Sequence, residues 1–321
     1  MTAARPDRIR PCPAALTAAD TAPPLAGRTV VITGATDGIG RAAAARFVAL
    51  GAHTVLVGRN PAKAEAAARA LQGAGAGTVS WEVADLSCRD AVTALAARLQ
   101  ARHPAIHVLA NNAGALFLER DTTADGVERT LALNHLAYVR LTLALLDPLL
   151  AAAHPGAPAR VLCVSSRAHE NARVDLEDLP LARGYGGWRA YANSKLCNIW
   201  FAQELARRLD PSRVVVHSLH PGVVRTRFAE NNGRLGRLLR RIMDLVSVTP
   251  EAGADTLTWL ATAPEALEGS GSYWVRRRRT TPSRAARDTA LARRCWAVTD
   301  ALLQQDAEAL VREAQARHAA R

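Results

Sequence analysis

A chain of 321 residues with 49% of them hydrophobic can bury a sizeable core, and an α/β fold of this length often forms one domain. Its formal charge of +12 would attract polyanions, but no nucleic-acid module is present, and arginine crowds out lysine amid abundant alanine as coding bias would make it do, so a nucleic-acid role is set aside. Five scattered cysteines without a C-x-x-C pair suggest neither a disulfide framework nor a metal site, and fit a reducing, cytoplasmic setting.

In chain order, residues 1 to about 24 are rich in Ala, Pro and Thr and read as a mobile leader. The basic opening is followed by no apolar signal-like run, and the most apolar later stretch, Leu141–Ala153, is short and interrupted by Asp147 and Pro148. No stable membrane insertion is expected. Apolar, β-branched runs at Thr29–Thr33, His53–Val57, Val79–Val83, His107–Ala110, Arg160–Val164, Val214–Ser218 and Ser272–Val275 predict buried strands. Between them, Ile39–Leu50, Ala62–Leu71, Asp90–Arg102, Gly126–Leu150 and Tyr191–Leu209 have the helical period. Alternating strand and helix implies a Rossmann-type, doubly wound parallel sheet of about seven strands with helices on both faces. One domain is expected over residues 25–300, followed by a helical extension at 301–321.

The first strand runs into Gly34-Ala35-Thr36-Asp37-Gly38-Ile39-Gly40 and then a helix. Glycines permit a tight turn and close approach to a pyrophosphate, whose charge the helix start favours; tight packing alone also uses glycine. Further on come Asp85-Leu86, Asn111-Asn112-Ala113-Gly114, Asn134, Ser165-Ser166, Tyr191-Ala192-Asn193-Ser194-Lys195 and His220-Pro221-Gly222. This ordered set, over roughly residues 25–300, resembles the short-chain dehydrogenase/reductase family. Ser165-Ser166-Arg167-Ala168-His169 and the run Asn198–Ala206 resemble its retinol dehydrogenase and WW-domain-oxidoreductase branch. WW domains and the N-terminal anchor of many retinol dehydrogenases are not found in the sequence.

Tyr191 and Lys195 share one helix face, so an ammonium is expected to lower the phenol's pKa and let Tyr191 serve as general acid or base. Ser166, at a strand end, can hydrogen-bond an oxygen that develops charge. The resemblance selects Ser166 over Ser165, gives Lys195 a second task in holding the nicotinamide ribose, and makes Asn134 the support of a water relay to Lys195. The expected activity is thus carbonyl–alcohol interconversion by hydride transfer (EC 1.1.1.-). A redox-inactive dinucleotide sensor and a membrane-peripheral protein are the alternatives.

The second strand ends in Gly58-Arg59-Asn60, with no carboxylate to mark NAD(H), and Arg59 is available for a 2′-phosphate. NADP(H) is therefore expected over NAD(H). Arg41 is a candidate helper. Asp37 points weakly the other way unless it caps the following helix. By resemblance, Asp85 and Leu86 lie at the adenine, Asn112, Ala113 and Gly114 at its ribose, and Pro221, Gly222, Val224 and Thr226 at the nicotinamide. The basic amphipathic stretch Arg234–Met243 falls where the family places a substrate lid, about residues 226–248. The expected partner is a small-molecule carbonyl or alcohol, bulky and apolar or amphiphilic; a dimer or tetramer is compatible with the family. Arg276–Arg279 reads as a solvated exit from the last strand.

Overall fold

The computed structural model describes residues 22–222 and 249–319. Most of the expected leader, Val224, Thr226 and the expected lid lie outside the described residues. Eight strands form one sheet: β1 (Thr29–Thr33), β2 (His53–Gly58), β3 (Thr78–Val83), β4 (Val108–Asn111), β5 (Ala159–Val164), β6 (Val214–His220), β7 (Tyr273–Val275) and β8 (Arg278–Thr280). Their order is β3-β2-β1-β4-β5-β6-β7-β8. Seven are parallel, and β8 runs antiparallel to β7. This eighth strand was not expected, because Arg276 and Arg277 make the hairpin turn at φ 50 and 59 without the usual Asn or Gly. Arg277 also pairs with Asp255, so the expected solvated exit is in part a fastened hairpin.

Alternation along the strands splits the core. Val30, Ile32 and Leu56 face one layer with Phe47, Ala67 and Leu257; Val31, Val55 and Val57 face the other. Helices α1 (Gly38–Ala49) and α2 (Pro61–Leu71) contribute to the first layer. The second contains α3 (Arg89–Arg102), α4 (Arg129–Ala144), α5 (Leu146–Ala152) and α6 (Gly187–Arg208). Further along the chain, α7 (Pro250–Leu260) joins the first layer, while α8 (Thr289–Leu303) and α9 (Ala307–His318) join the second.

The long helix expected from Gly126 to Leu150 is two helices meeting at 58°. Glu128 sets the start by accepting from the Thr130 and Leu131 amides at 2.6 and 2.8 Å. Pro148 has no N–H for the Ala144 carbonyl, which accepts the Gln100 side chain at 2.7 Å instead. Within α4, Ala132–Leu136 winds as a π-turn, a local widening often found at functional sites. No single helix among the described residues is long and apolar enough to cross a membrane.

Candidate active site

The sheet order reverses between β1 and β4, so their C-terminal ends diverge and leave a crevice above the sheet. Gly34 makes the turn out of β1 at φ 66. Asp37 caps α1 by accepting from the Gly38 amide at 2.8 Å, so its side chain serves the helix start. At Gly40 a Cβ would lie 2.1 Å from the Gly34 carbonyl oxygen, so a side chain there would push the turn apart. From β4, the Asn112 and Ala113 amides donate to Thr33 Oγ1 at 2.9 and 3.0 Å, and Asn112 Nδ2 donates to the Thr33 carbonyl at 2.8 Å. The Asn-Ala-Gly segment is thereby tied to the glycine turn.

Above them is a cleft of about 790 Å³, within the usual range of small-molecule and cofactor sites. Its wall includes Gly34, Thr36, Asp37, Gly38, Ile39 and Gly40 from the turn, Arg59 after β2, and Asp85 and Leu86 after β3. Asn112, Ala113 and Gly114 follow from β4, with Ser166, Tyr191, Lys195, Pro221 and Gly222 at the other end. Arg41 directly follows Gly40 on α1 but is exposed and is not part of this wall. Burial would raise the Asp85 pKa, but two bonds from Ser87 and the fields of Arg129 and Arg59 prevail and hold it below the usual carboxylate value.

At the far end, Ser165 and Ser166 divide their tasks. The Ser165 hydroxyl is buried and donates to the Lys195 carbonyl at 2.7 Å, fixing β5 to α6. Ser166 starts a short 3₁₀ turn, and its side chain bonds that of Tyr191. The Lys195 ammonium lies 5.6 Å from the centre of the Tyr191 ring and donates to the Val164 carbonyl at 3.1 Å. Burial pushes Lys195 down to about 8. Burial raises Tyr191, with the Ser166 bond acting against it. The expected lowering of Tyr191 by Lys195 is therefore not found: desolvation of the phenol is the larger influence, and the Ser166 bond only partly offsets it.

Asn134 sits behind the wall, fully buried in the π-turn. Its side chain exchanges hydrogen bonds with the Ala115 backbone at 2.9 and 3.0 Å and donates to Ser194 Oγ at 3.1 Å. A Cβ on Gly114 would be 3.2 Å from Lys195 Nζ and 3.3 Å from Asn134 Oδ1, so both polar atoms flank that glycine. Asn198 is a hub that sequence reasoning missed: its amide donates to the Asn134 carbonyl at 2.8 Å and the Val164 carbonyl at 3.4 Å. Also missed were Lys63 beside Arg59, and Phe117, Arg129, Leu133 and Trp188 along the wall. Helical spacing places Lys63 one turn into α2, close to Arg59, a signal that could have been used; Trp188 is one turn before Tyr191.

The short chain dehydrogenase family's sequence profile matches residues 28–234. Human retinol dehydrogenase 13 is 36% identical over 291 residues, covering 88% of this chain and 86% of that protein. A Streptomyces protein with the provisional name daunorubicin C-13 ketoreductase DnrU is 39% identical over 273 residues, covering 85% and 91%. Among solved structures, an uncharacterized protein from Mycobacterium Paratuberculosis superposes with a TM-score of 0.70 at 31% identity, covering 88% of this chain and 95% of that one. The chain belongs to the short-chain dehydrogenase/reductase family, in its retinol dehydrogenase-like branch. It is an oxidoreductase between carbonyl and alcohol, working with a nicotinamide dinucleotide on a small-molecule substrate.

Proposed function

We propose that this protein is an NADP(H)-dependent enzyme that interconverts a bulky apolar or amphiphilic carbonyl compound and its alcohol, with Tyr191 as the acid/base group. The observation that carries this reading is the bond between Ser166 and Tyr191 at the end of a dinucleotide-sized cleft, with Lys195 packed against the tyrosine ring. The glycine cradle fits a dinucleotide: Gly40 leaves the turn clear for a pyrophosphate at the start of α1. When bound, the nicotinamide supplies or accepts the hydride.

The chain's own residues then have separate tasks. In the reductive direction Tyr191 donates its phenolic proton to the substrate oxygen, while Ser166 donates a hydrogen bond to the same oxygen and steadies its developing charge. Lys195, with an ammonium already near its titration point at neutral pH, stabilises the resulting phenolate and holds the ribose. Asn134 and Asn198 fix the backbone around the ammonium, the former in the relay position. Arg59, with Lys63 beside it on the cleft wall, supplies the charge a 2′-phosphate requires. Phe117, Leu133 and Trp188 provide an apolar wall suited to a large hydrophobic substrate.

The test is a screen following NADPH and NADH oxidation with aromatic, polycyclic and long-chain aldehydes and ketones, run beside Tyr191→Phe. Turnover with NADPH that vanishes in the variant is the expected result. Equal turnover with both dinucleotides, or a variant as active as the wild type, would overturn the assignment.

A further inference from the structure

Away from the cleft, three helices converge on a small polar cluster inside an apolar layer. His135 comes from the π-turn of α4, Cys197 from α6 and Cys295 from α8. All three are buried, and one donor atom from each lies within 4.8 Å of the other two. A void of about 10 Å³ lies beside them, with Thr299 and Asp300 also on its wall. Such a space takes about one atom. Val139, Phe201 and Trp296 close it with apolar surface.

The hydrogen bonds around His135 determine which nitrogen is available. Asn198 uses its NH₂ on the Asn134 and Val164 carbonyls, so its Oδ1 faces His135 Nδ1, at 3.1 Å. An amide oxygen only accepts, so Nδ1 carries the proton. Nε2 then presents a lone pair toward Thr299 Oγ1, 2.9 Å away, and that hydroxyl is 3.9 Å from Cys295 Sγ. A histidine whose far nitrogen is fixed by a carbonyl acceptor is arranged as metal-binding histidines are.

We propose that His135 Nε2, Cys197 Sγ and Cys295 Sγ bind a single Zn(II) ion, with the Thr299 hydroxyl as fourth donor. Two thiolates and an imidazole suit a soft or borderline cation with a tetrahedral preference. On binding, two Zn–S bonds form and the two thiol protons pass to solvent. Charge selects the ion: two thiolates balance Zn(II), whereas Cu(I) would leave a net negative charge in an apolar layer, where it is costly. The ion would fasten α8 to α4 and α6, the helices that carry Asn134, Tyr191 and Lys195. The lack of a C-x-x-C pair hid the site from sequence, since its donors come from three separate helices. The proposal does not depend on the oxidoreductase reading.

The experiment uses the full chain in a Cys12→Ser/Cys88→Ser background, reduced, stripped with a chelator and titrated with Cd(II) or Zn(II). One equivalent of Cd(II) should produce a near-ultraviolet thiolate charge-transfer band that Zn(II) displaces, and Zn(II) should raise the melting temperature by several degrees. Cys197→Ala and Cys295→Val should each weaken the metal at least ~10²-fold while the circular dichroism stays native. In the background protein with His135, Cys197 and Cys295 intact, Zn(II) should also protect Cys197 and Cys295 from alkylation in the folded state, a readout that does not depend on those variants folding. Absence of the band, an unchanged band in Cys197→Ala or Cys295→Val, or a mass lower by two hydrogens from a Cys197–Cys295 disulfide in the reduced preparation would overturn the proposal.

Discussion

The Lys195 ammonium donates to the Val164 carbonyl at 3.1 Å, which places the only lysine of α6 against the end of β5, two residues before Ser166. Anchored this way, the ammonium is held near the phenol independently of the cofactor. Burial of the phenol works the other way and favours its neutral form. Tyr191→Phe keeps the ring and its packing against Trp188 but removes the proton. Turnover is expected to fall at least ~10²-fold, with the NADPH dissociation constant changed by less than about threefold, a limit below the ~1 kcal/mol of one ordinary hydrogen bond. Steady-state rates and a fluorescence titration measure the two. Undiminished turnover would remove Tyr191 from the chemistry.

The same buried ammonium makes stability depend on pH. Lys195 titrates at about 8 in the folded protein, against 10.5 for an ordinary lysine, because burial disfavours its charge. Below pH 8 both states hold the proton, and the fold bears the cost of the buried charge. Between about 8 and 10.5 the unfolded chain binds more protons, so this group adds stability as pH rises. Lys195→Met removes that contribution. Its advantage over the wild type in urea midpoint, without cofactor, should shrink across this window by an equivalent on the order of 1–3 kcal/mol. Parallel wild-type and variant profiles would show that Lys195 is not titrating there.

Dinucleotide choice is tested at Arg59. A guanidinium that grips a 2′-phosphate contributes hydrogen bonds to a charged group of roughly 1.5–3 kcal/mol, or about 10- to 100-fold in affinity. Arg59→Ala should weaken NADPH by that factor and leave NADH within about twofold, since NADH has no phosphate to lose. Lys63→Ala, one helical turn along the cleft wall, should weaken NADPH by a smaller factor. Dissociation constants from calorimetry decide it. Equal losses for the two dinucleotides would place Arg59 in general binding.

What could be read from sequence was the repeating part of the fold. Seven strand positions follow from short β-branched runs such as Thr29–Thr33, and the turn at Gly34–Gly40 is marked by residue types that few other backbones require. Local signals failed where tertiary partners decide the outcome. The break after Ala144 is governed by a proline and completed by Gln100 from another helix. The β7–β8 turn uses two arginines in a left-handed conformation, one of them held by Asp255. Tyr191 and Lys195 could be paired by spacing, but burial, which raises one pKa and lowers the other, is a property of the folded surroundings. Asn198 looks like one more polar helix residue until β5 and α4 bring carbonyls to it.

Trp188 offers a test of what the cleft accepts. It lies in the first turn of α6, its ring 5.7 Å from that of Tyr191 and tilted by 33°, yet it is 50% exposed. Gly187 permits this placement: a Cβ there would be 2.3 Å from the Phe117 carbonyl oxygen, so the backbone approaches the opposite wall and projects the indole beside the reacting end of the cleft. An exposed indole leaves apolar area that a large hydrophobic substrate would cover, with a gain of roughly 0.5–1.5 kcal/mol for an aromatic partner beyond the area buried. Trp188→Ala should therefore raise KM for a polycyclic aromatic ketone about tenfold, while kcat changes by less than about twofold because the residue adds uniform binding. A small aldehyde, too short to reach the indole, should show no change in either parameter, and Trp188→Phe should recover most of the lost affinity. An equal rise in KM for large and small substrates would show that Trp188 shapes Tyr191's surroundings instead of binding substrate.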